Sequence, residues 1–219
     1  MKRWISDHGL TIILLALFLV SIIGQWLSGW TVENEELRSH GRQVSSAWEY
    51  LGSATFQSSV FENWESEFLQ MSVYVVLTSI LVQRGSSESR DPDKPDRDGS
   101  LQEIAQNQDA PRILRRGPVM RWIYAHSLGT ALFVLFLLSF ILHWTNSAKV
   151  AADKAREHGD AAVSALAYLR DPQLWFESFQ NWQSEFLSTA VLVVLSIYLR
   201  QRNSPESKPL TASNSQTGS

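Results

Sequence analysis

Two glutamates, Glu67 and Glu185, have the sequence context most suited to chemistry. Each lies in one recurring phrase, "FENWESEFL" at 61–69 and "FQNWQSEFL" at 179–187, and each phrase runs into an apolar stretch. Ionisable side chains at membrane depth pair with polar groups, bind ions or relay protons. If the two carboxyl groups face each other, their repulsion disfavours double ionisation, so the pair can hold a proton.

The predicted polar site surrounds these glutamates with the other polar residues that both phrases share. An asparagine four residues earlier lies on the same helical face, and a serine precedes each glutamate. At neighbouring positions Glu62 is replaced by Gln180 and Glu65 by Gln183, which favours the acids that both phrases keep. The candidate intramembrane site comprises Glu67, Glu185, Asn63, Asn181, Ser66 and Ser184.

An alternative interpretation is that each glutamate only marks the start of a helix. A carboxylate in a first helical turn interacts favourably with the helix dipole. The phrase would then be a signal for helix initiation with no role in binding. The sequence leaves both interpretations open.

Other site chemistries find little support. The chain has no cysteine, which excludes disulfides and thiolate metal sites. Two histidine pairs recur, His8 with His126 and His40 with His158, but none has a compact ligand spacing. No phosphate-binding or hydrolase motif is present, so neither a metal nor a cofactor is predicted. The net charge of −3 argues against a nucleic-acid partner.

Four apolar runs must position the glutamates. Two long runs, 8–32 and 122–148, each exceed the roughly 20 residues of a membrane-spanning helix. Two shorter runs, 68–82 and 186–199, follow the glutamates. None carries a polar stripe, which favours helices in lipid over buried helices of a soluble protein, because nothing else in the chain could cover them. Residues 9–28 are interpreted as a retained anchor, since no signal-peptide cleavage site follows.

The chain repeats itself. A constant offset of 118 aligns residues 3–90 with 121–208, and 37 of the 88 pairs are identical, which indicates a tandem duplication. The sequence therefore predicts an all-α integral membrane protein with four transmembrane helices, built from a two-helix unit, with amphipathic helices on the outer side. The predicted parts are a first repeat at 1–90, a disordered linker at 91–118, a second repeat at 119–208 and a disordered tail at 209–219.

The basic residues predict the orientation. Thirteen of the 19 Lys and Arg residues lie near the N-terminus, in the linker or near the C-terminus. The positive-inside rule therefore places both termini in the cytoplasm, and two helices per half make the halves a parallel repeat. Tryptophan is typical of membrane interfaces, and the predicted interface anchors are Trp4, Trp26, Trp64, Trp122, Trp144 and Trp182.

A resemblance to a known family rests on four segments. They are "NWESEFLQ" (63–70), "NWQSEFLS" (181–188), "SIYLRQR" (196–202) and "SPESKP" (204–209). With them the chain resembles a family of bacterial integral membrane proteins known only as a domain of unknown function. The resemblance implies a multi-pass protein of the bacterial cytoplasmic (inner) membrane. It implies no activity, cofactor or partner.

The sequence predicts a non-enzymatic integral membrane protein with a structural or interacting role at the cell envelope. Its expected partners are the lipid bilayer and either an envelope protein or a second copy of the chain. The first alternative is a small transporter or channel that uses the paired glutamates. The second is a membrane enzyme of lipid or quinone chemistry.

Overall fold

The structure of the chain is a computed structural model that describes residues 7–94, 98–107 and 109–218. Over these residues the fold is all-α and contains no strand, which confirms the predicted class. The chain forms two compact units. The first contains the residues up to Phe61 together with Leu142–Arg170, and the second contains Glu62–Ile141 together with the residues from Asp171 onwards.

Helices of two sizes make up the described chain. The long helices are α1 (Gly9–Ser39), α3 (Ala54–Ile80), α6 (Ser127–His158) and α8 (Pro172–Tyr198). The short helices are α2 (Ala47–Leu51), α4 (Leu101–Gln106), α5 (Pro118–Ala125) and α7 (Ala165–Tyr168), with a 3-10 turn at Arg112–Arg115.

Helices α1 and α6 are long and apolar enough to span a membrane, as their sequences predict. Large apolar side chains cover their surfaces, and Leu14, Phe18 and Leu138 are among those left exposed. A continuous apolar surface of this kind is unfavourable in water. By length and composition these two helices are therefore candidates to span a membrane.

Helices α3 and α8 begin earlier than the sequence suggests. Glu67 and Glu185 each lie 13 residues after the first helical residue, Ala54 in α3 and Pro172 in α8 (67 − 54 and 185 − 172). Asp171 caps α8, with its side chain accepting a hydrogen bond from the Gln173 backbone, and the proline in the first turn suits its fixed φ. Neither glutamate lies in a first turn, so the helix dipole at that end does not account for them.

Tryptophan side chains fasten the short helices of the first unit. The indole nitrogen of Trp26 donates to the Ala47 carbonyl at 2.7 Å, and that of Trp144 donates to the Ala165 carbonyl, also at 2.7 Å. Serines cap the same short helices: the Ser46 hydroxyl accepts from the third helical residue of α2, and Ser164 does the same for α7. The indole and the cap together fix where each short helix begins.

Both segments that the sequence predicts to be disordered contain regular contacts in the structure. Helix α4, capped by Ser100, lies within the linker. In the C-terminal tail, backbone carbonyls turn towards Lys208, which is only 1 % exposed. Its ammonium group donates to the carbonyls of Gly85, Ser213, Asn214 and Gln216. The tail thus provides backbone carbonyls as hydrogen-bond acceptors for Lys208, which its low hydrophobicity does not predict.

Candidate functional site

The candidate site lies in the second unit, where α3 from Glu62 onwards lies beside α8. Side-chain hydrogen bonds join the two helices between positions that are 117 to 119 residues apart in the chain. Residues that come later in α3 bond to residues that come later in α8. The two helices therefore run parallel and in register. The contacts are Asn181 to Glu62, Trp182 to Glu65, and Gln70 to Thr189.

Glu65 is the most enclosed acid of this contact. It is fully buried, and the indole nitrogen of Trp182 donates to its Oε1 atom at 3.2 Å. One helical turn away, the Asn181 amide donates to the Glu62 carboxyl group at 2.6 Å. A buried carboxyl group is costly unless it accepts hydrogen bonds. The second copy of the phrase therefore supplies the donors that the acids of the first copy need.

Aromatic rings hold the Trp182 indole in place. Phe136 of α6 meets it edge-on, with ring centroids 6.2 Å apart and planes at 70°. Phe179, one turn earlier on α8, meets it at 5.4 Å and 84°. Edge-to-face pairs of this geometry are favourable beyond the area that they bury. The sequence predicts that Trp182 is an interface anchor. In the structure its indole N–H donates to the buried carboxyl group of Glu65.

Glu67 and Glu185 lie on α3 and α8, near enough for the charge of one to act on the other. Glu67 is exposed and Glu185 is half-buried, and the charge of Glu67 acts on the Glu185 carboxyl group. The next turn of the contact is the hydrogen bond from Gln70 to Thr189. A pair of like charges at one site favours the binding of a proton or a cation.

The remaining predicted site residues form local contacts. The Ser66 and Ser184 hydroxyls each donate to a carbonyl three residues earlier, that of Asn63 or Asn181. Asn63 is exposed, and the Asn181 amide contacts Glu62. Of the six predicted residues, the two glutamates interact through their charges, and Asn181 donates to a different acid, Glu62.

Sequence reasoning missed Glu62 and Glu65. It favoured the acids that both phrases keep. Where two related helices pack side by side, however, equivalent positions lie on opposite sides of the helix contact. In the second copy the residues equivalent to Glu62 and Glu65 are exposed, so this contact uses the acids of one copy only. The replacement of both acids by glutamine in the second phrase, at 180 and 183, was the available signal.

The other predicted anchors and the recurring histidines are placed as follows. Trp122 is 59 % exposed and stacks on His126, with ring centroids 4.7 Å apart. Trp64 is half-buried, and Trp4 lies outside the described residues. The Nδ1 atoms of His40 and His158 each lie within hydrogen-bonding distance of a carbonyl four residues earlier, at 2.9 and 2.7 Å.

Comparison with known proteins places the chain in a family. The family model that matches is described as a domain of unknown function (DUF6766), and the match covers residues 1–219. The chain therefore belongs to this family. No curated protein and no solved structure matches it.

Proposed function

We propose that this member of the family is a non-enzymatic protein of the bacterial cytoplasmic membrane, with a structural or interacting role at the cell envelope. The observation that carries the proposal is the contact between α3 and α8, in which Trp182 and Asn181 donate to Glu65 and Glu62. Polar side chains that bond across helices hold membrane bundles together. The partners are the lipid bilayer and either an envelope protein or a second copy.

The proposed bundle has four spans, with α3 and α8 added to α1 and α6. Each of the added helices has 27 residues, or about 40 Å at 1.5 Å per residue, against a hydrocarbon thickness of about 30 Å. Both termini lie in the cytoplasm in this scheme, as the distribution of basic residues favours.

Single cysteines test this topology, because the chain has no native thiol. In intact spheroplasts a membrane-impermeant thiol reagent should label Ser46→Cys and leave Arg202→Cys unlabelled. Permeabilised cells, in which both variants should react, serve as the control. Labelling of Arg202→Cys in intact spheroplasts contradicts the scheme.

The two halves are proposed to derive from a tandem duplication. Equivalent loops follow α3 and α8, and in each a glutamine donates its backbone N–H to the hydroxyl group of a serine six residues later. The distance is 2.9 Å from Gln83 to Ser89 and 2.8 Å from Gln201 to Ser207. Positive φ angles also recur at the offset of 118, with 86° at Gly85 and 65° at Asn203. These repeated local geometries support the duplication.

A second candidate function is a small proton or cation carrier. The specific observation that favours it is the proximity of the Glu67 and Glu185 carboxyl groups, beside the hydrogen bond from Gln70 to Thr189. Two facing carboxyl groups can bind and release a proton, and polar groups along a helix contact offer it a route.

Proton flux into proteoliposomes separates the two candidates. A pH-sensitive dye is trapped inside, and a potassium diffusion potential drives proton entry. The structural role predicts the same dye response for the wild type, the Glu67→Gln/Glu185→Gln variant and protein-free vesicles. A response that exceeds that of protein-free vesicles in the wild type and disappears in the variant would overturn the structural role and establish the carrier.

A further inference from the structure

A cavity of about 400 Å³ lies between α3 and α8, beyond the hydrogen bond from Gln70 to Thr189. Its walls are apolar, with Val73 and Leu77 on α3 and Val193 on α8. The volume falls in the range of about 300–1,000 Å³ that is typical of small-molecule sites. The shape and lining of this cavity suit a hydrocarbon chain.

The cavity opens onto the surface of the second unit. Three of its lining residues, Leu77, Leu81 and Val194, remain 44 %, 59 % and 50 % exposed. On the membrane placement proposed above, on which this inference rests, that surface faces lipid. A hydrocarbon chain can therefore enter from the bilayer without crossing water.

One carboxyl group, that of Glu88, lines the cavity, and a second, that of Glu206, lies outside the lining and acts on it. Glu88 lines the cavity and accepts a hydrogen bond of 2.9 Å from the Tyr74 hydroxyl. The Glu206 carboxyl group lies within hydrogen-bonding reach of Glu88. Burial, followed by the charge of Glu206, raises the pKa of Glu88, while the hydrogen bonds from Tyr74 and Ser87 oppose the rise.

The loops that carry these acids are held in place. The backbone N–H of Glu88 donates to the Ser86 hydroxyl at 3.1 Å, and that of Glu206 donates to the Ser204 hydroxyl at 3.2 Å. The Ser87 hydroxyl then joins the loops by donating to the Glu206 carbonyl at 2.8 Å. The two carboxyl groups are thus positioned before any ligand arrives.

The nearby cations bind elsewhere. Arg84 pairs with Asp93 at 2.8 Å, and the Lys208 ammonium group is enclosed by backbone carbonyls. Within the described part of the chain, no lysine or arginine forms an ion pair with Glu88 or Glu206. Among the described residues the two acids therefore have no ion-pair partner, and Glu88 lies in the lining of an apolar cavity.

We infer that this cavity binds one membrane lipid whose headgroup carries a primary ammonium group, with an acyl chain between α3 and α8 and the ammonium group on Glu88 and Glu206. A primary ammonium group donates three hydrogen bonds, which suits two carboxyl groups, and charge-assisted hydrogen bonds of this type are strong. An anionic headgroup would instead be repelled.

Native mass spectrometry of the full chain tests this site. The protein is released from nanodiscs that contain equal amounts of phosphatidylethanolamine and phosphatidylglycerol, and the lipids that stay bound are counted. The wild type should retain about ten times more phosphatidylethanolamine than phosphatidylglycerol. A ratio of this size corresponds to the free energy of about one charge-assisted hydrogen bond. Glu88→Gln/Glu206→Gln should abolish this preference, whereas Glu103→Gln, which removes an exposed charge on α4, should keep it.

A second variant fills the cavity and leaves both acids in place. Val193→Trp should lose the bound lipid while its helix content, measured by circular dichroism, stays that of the wild type. Equal retention of both lipids by the wild type, an unchanged preference in Glu88→Gln/Glu206→Gln, or unchanged lipid retention by Val193→Trp would overturn the inference. So would retention of added dodecylammonium without any enrichment of phosphatidylethanolamine. Failure to enter nanodiscs would instead contradict the proposed membrane function.

Discussion

The indole nitrogen of Trp182 donates a 3.2 Å hydrogen bond to the fully buried carboxyl group of Glu65. This bond joins α8 to α3, and it joins one copy of the recurring phrase to the other. An acid that cannot reach water depends on this donor more than a surface acid would. The stability of the helix pair should therefore respond strongly to changes at either residue.

Trp182→Phe should destabilise the protein by about 1–3 kcal/mol, because it keeps an aromatic ring but removes a donor from a buried acid. Unfolding in SDS followed by circular dichroism provides the measurement. Trp122→Phe, at an exposed tryptophan, is the matched control and should change stability little. Adding Glu65→Leu to Trp182→Phe should recover part of the loss. Strictly additive effects of these two changes would contradict the account.

Asn181→Asp should place a second carboxylate against Glu62, where the amide now donates at 2.6 Å. Because like charges then meet, the variant should be less stable at pH 7 than at pH 4. Adding Glu62→Gln should restore stability at pH 7, since a donor again faces an acid. Asn107→Asp, in the described part of the linker, is the control. Equal stability of Asn181→Asp at both pH values would refute the role of this bond.

The sequence predicts the helical class well because helix length and apolar runs are local properties. The long runs 8–32 and 122–148 correspond to α1 and α6. The starts of α3 and α8 were less visible, since the residues before each phrase are mixed in polarity. For α8 the pair Asp171 and Pro172 is a recognisable start signal.

The composition of the site was harder to predict than the presence of the helices. Repetition of the phrase points to Glu67 and Glu185, and the charge of Glu67 acts on the Glu185 carboxyl group. The half-buried Glu62 and the buried Glu65 depend instead on donors that lie 119 and 117 positions away. This pairing of acids with donors depends on how the two helices are aligned. A search for residues that both phrases share does not consider that alignment.

Protein stability should fall as the pH rises above the ordinary glutamate pKa of 4.5, because burial and Glu206 raise the pKa of Glu88 in the folded state. The folded protein then binds the proton more tightly than the unfolded chain, so this contribution is complete below pH 4.5 and is lost as the pH rises through the higher folded value. Glu88→Gln should flatten this part of the curve. Melting temperatures from pH 4 to 8 test it, and an identical slope in the variant would contradict it.

Lys208→Met should release the C-terminal tail. The ammonium group satisfies four backbone carbonyls in a nearly fully buried position, and loss of a charged donor costs on the order of 2–3 kcal/mol. Carboxypeptidase should therefore trim residues 209–219 faster in the variant than in the wild type. Lys154→Met, at an exposed lysine, is the control. Equal trimming of the wild type and Lys208→Met would show that the lysine does not hold the tail.

Disulfide cross-linking across the α3–α8 contact tests the central claim most directly. The chain has no native cysteine, so Gln70→Cys/Thr189→Cys in native membranes reports on one pair of positions alone. A protease site inserted in the linker separates the two halves unless a disulfide joins them. Parallel, in-register helices predict that the oxidised halves stay joined within one polypeptide, whereas Met71→Cys/Thr189→Cys, which moves one cysteine to an exposed position of α3, joins far less. Equal joining of the two variants, or cross-links only between separate polypeptides, would contradict the account.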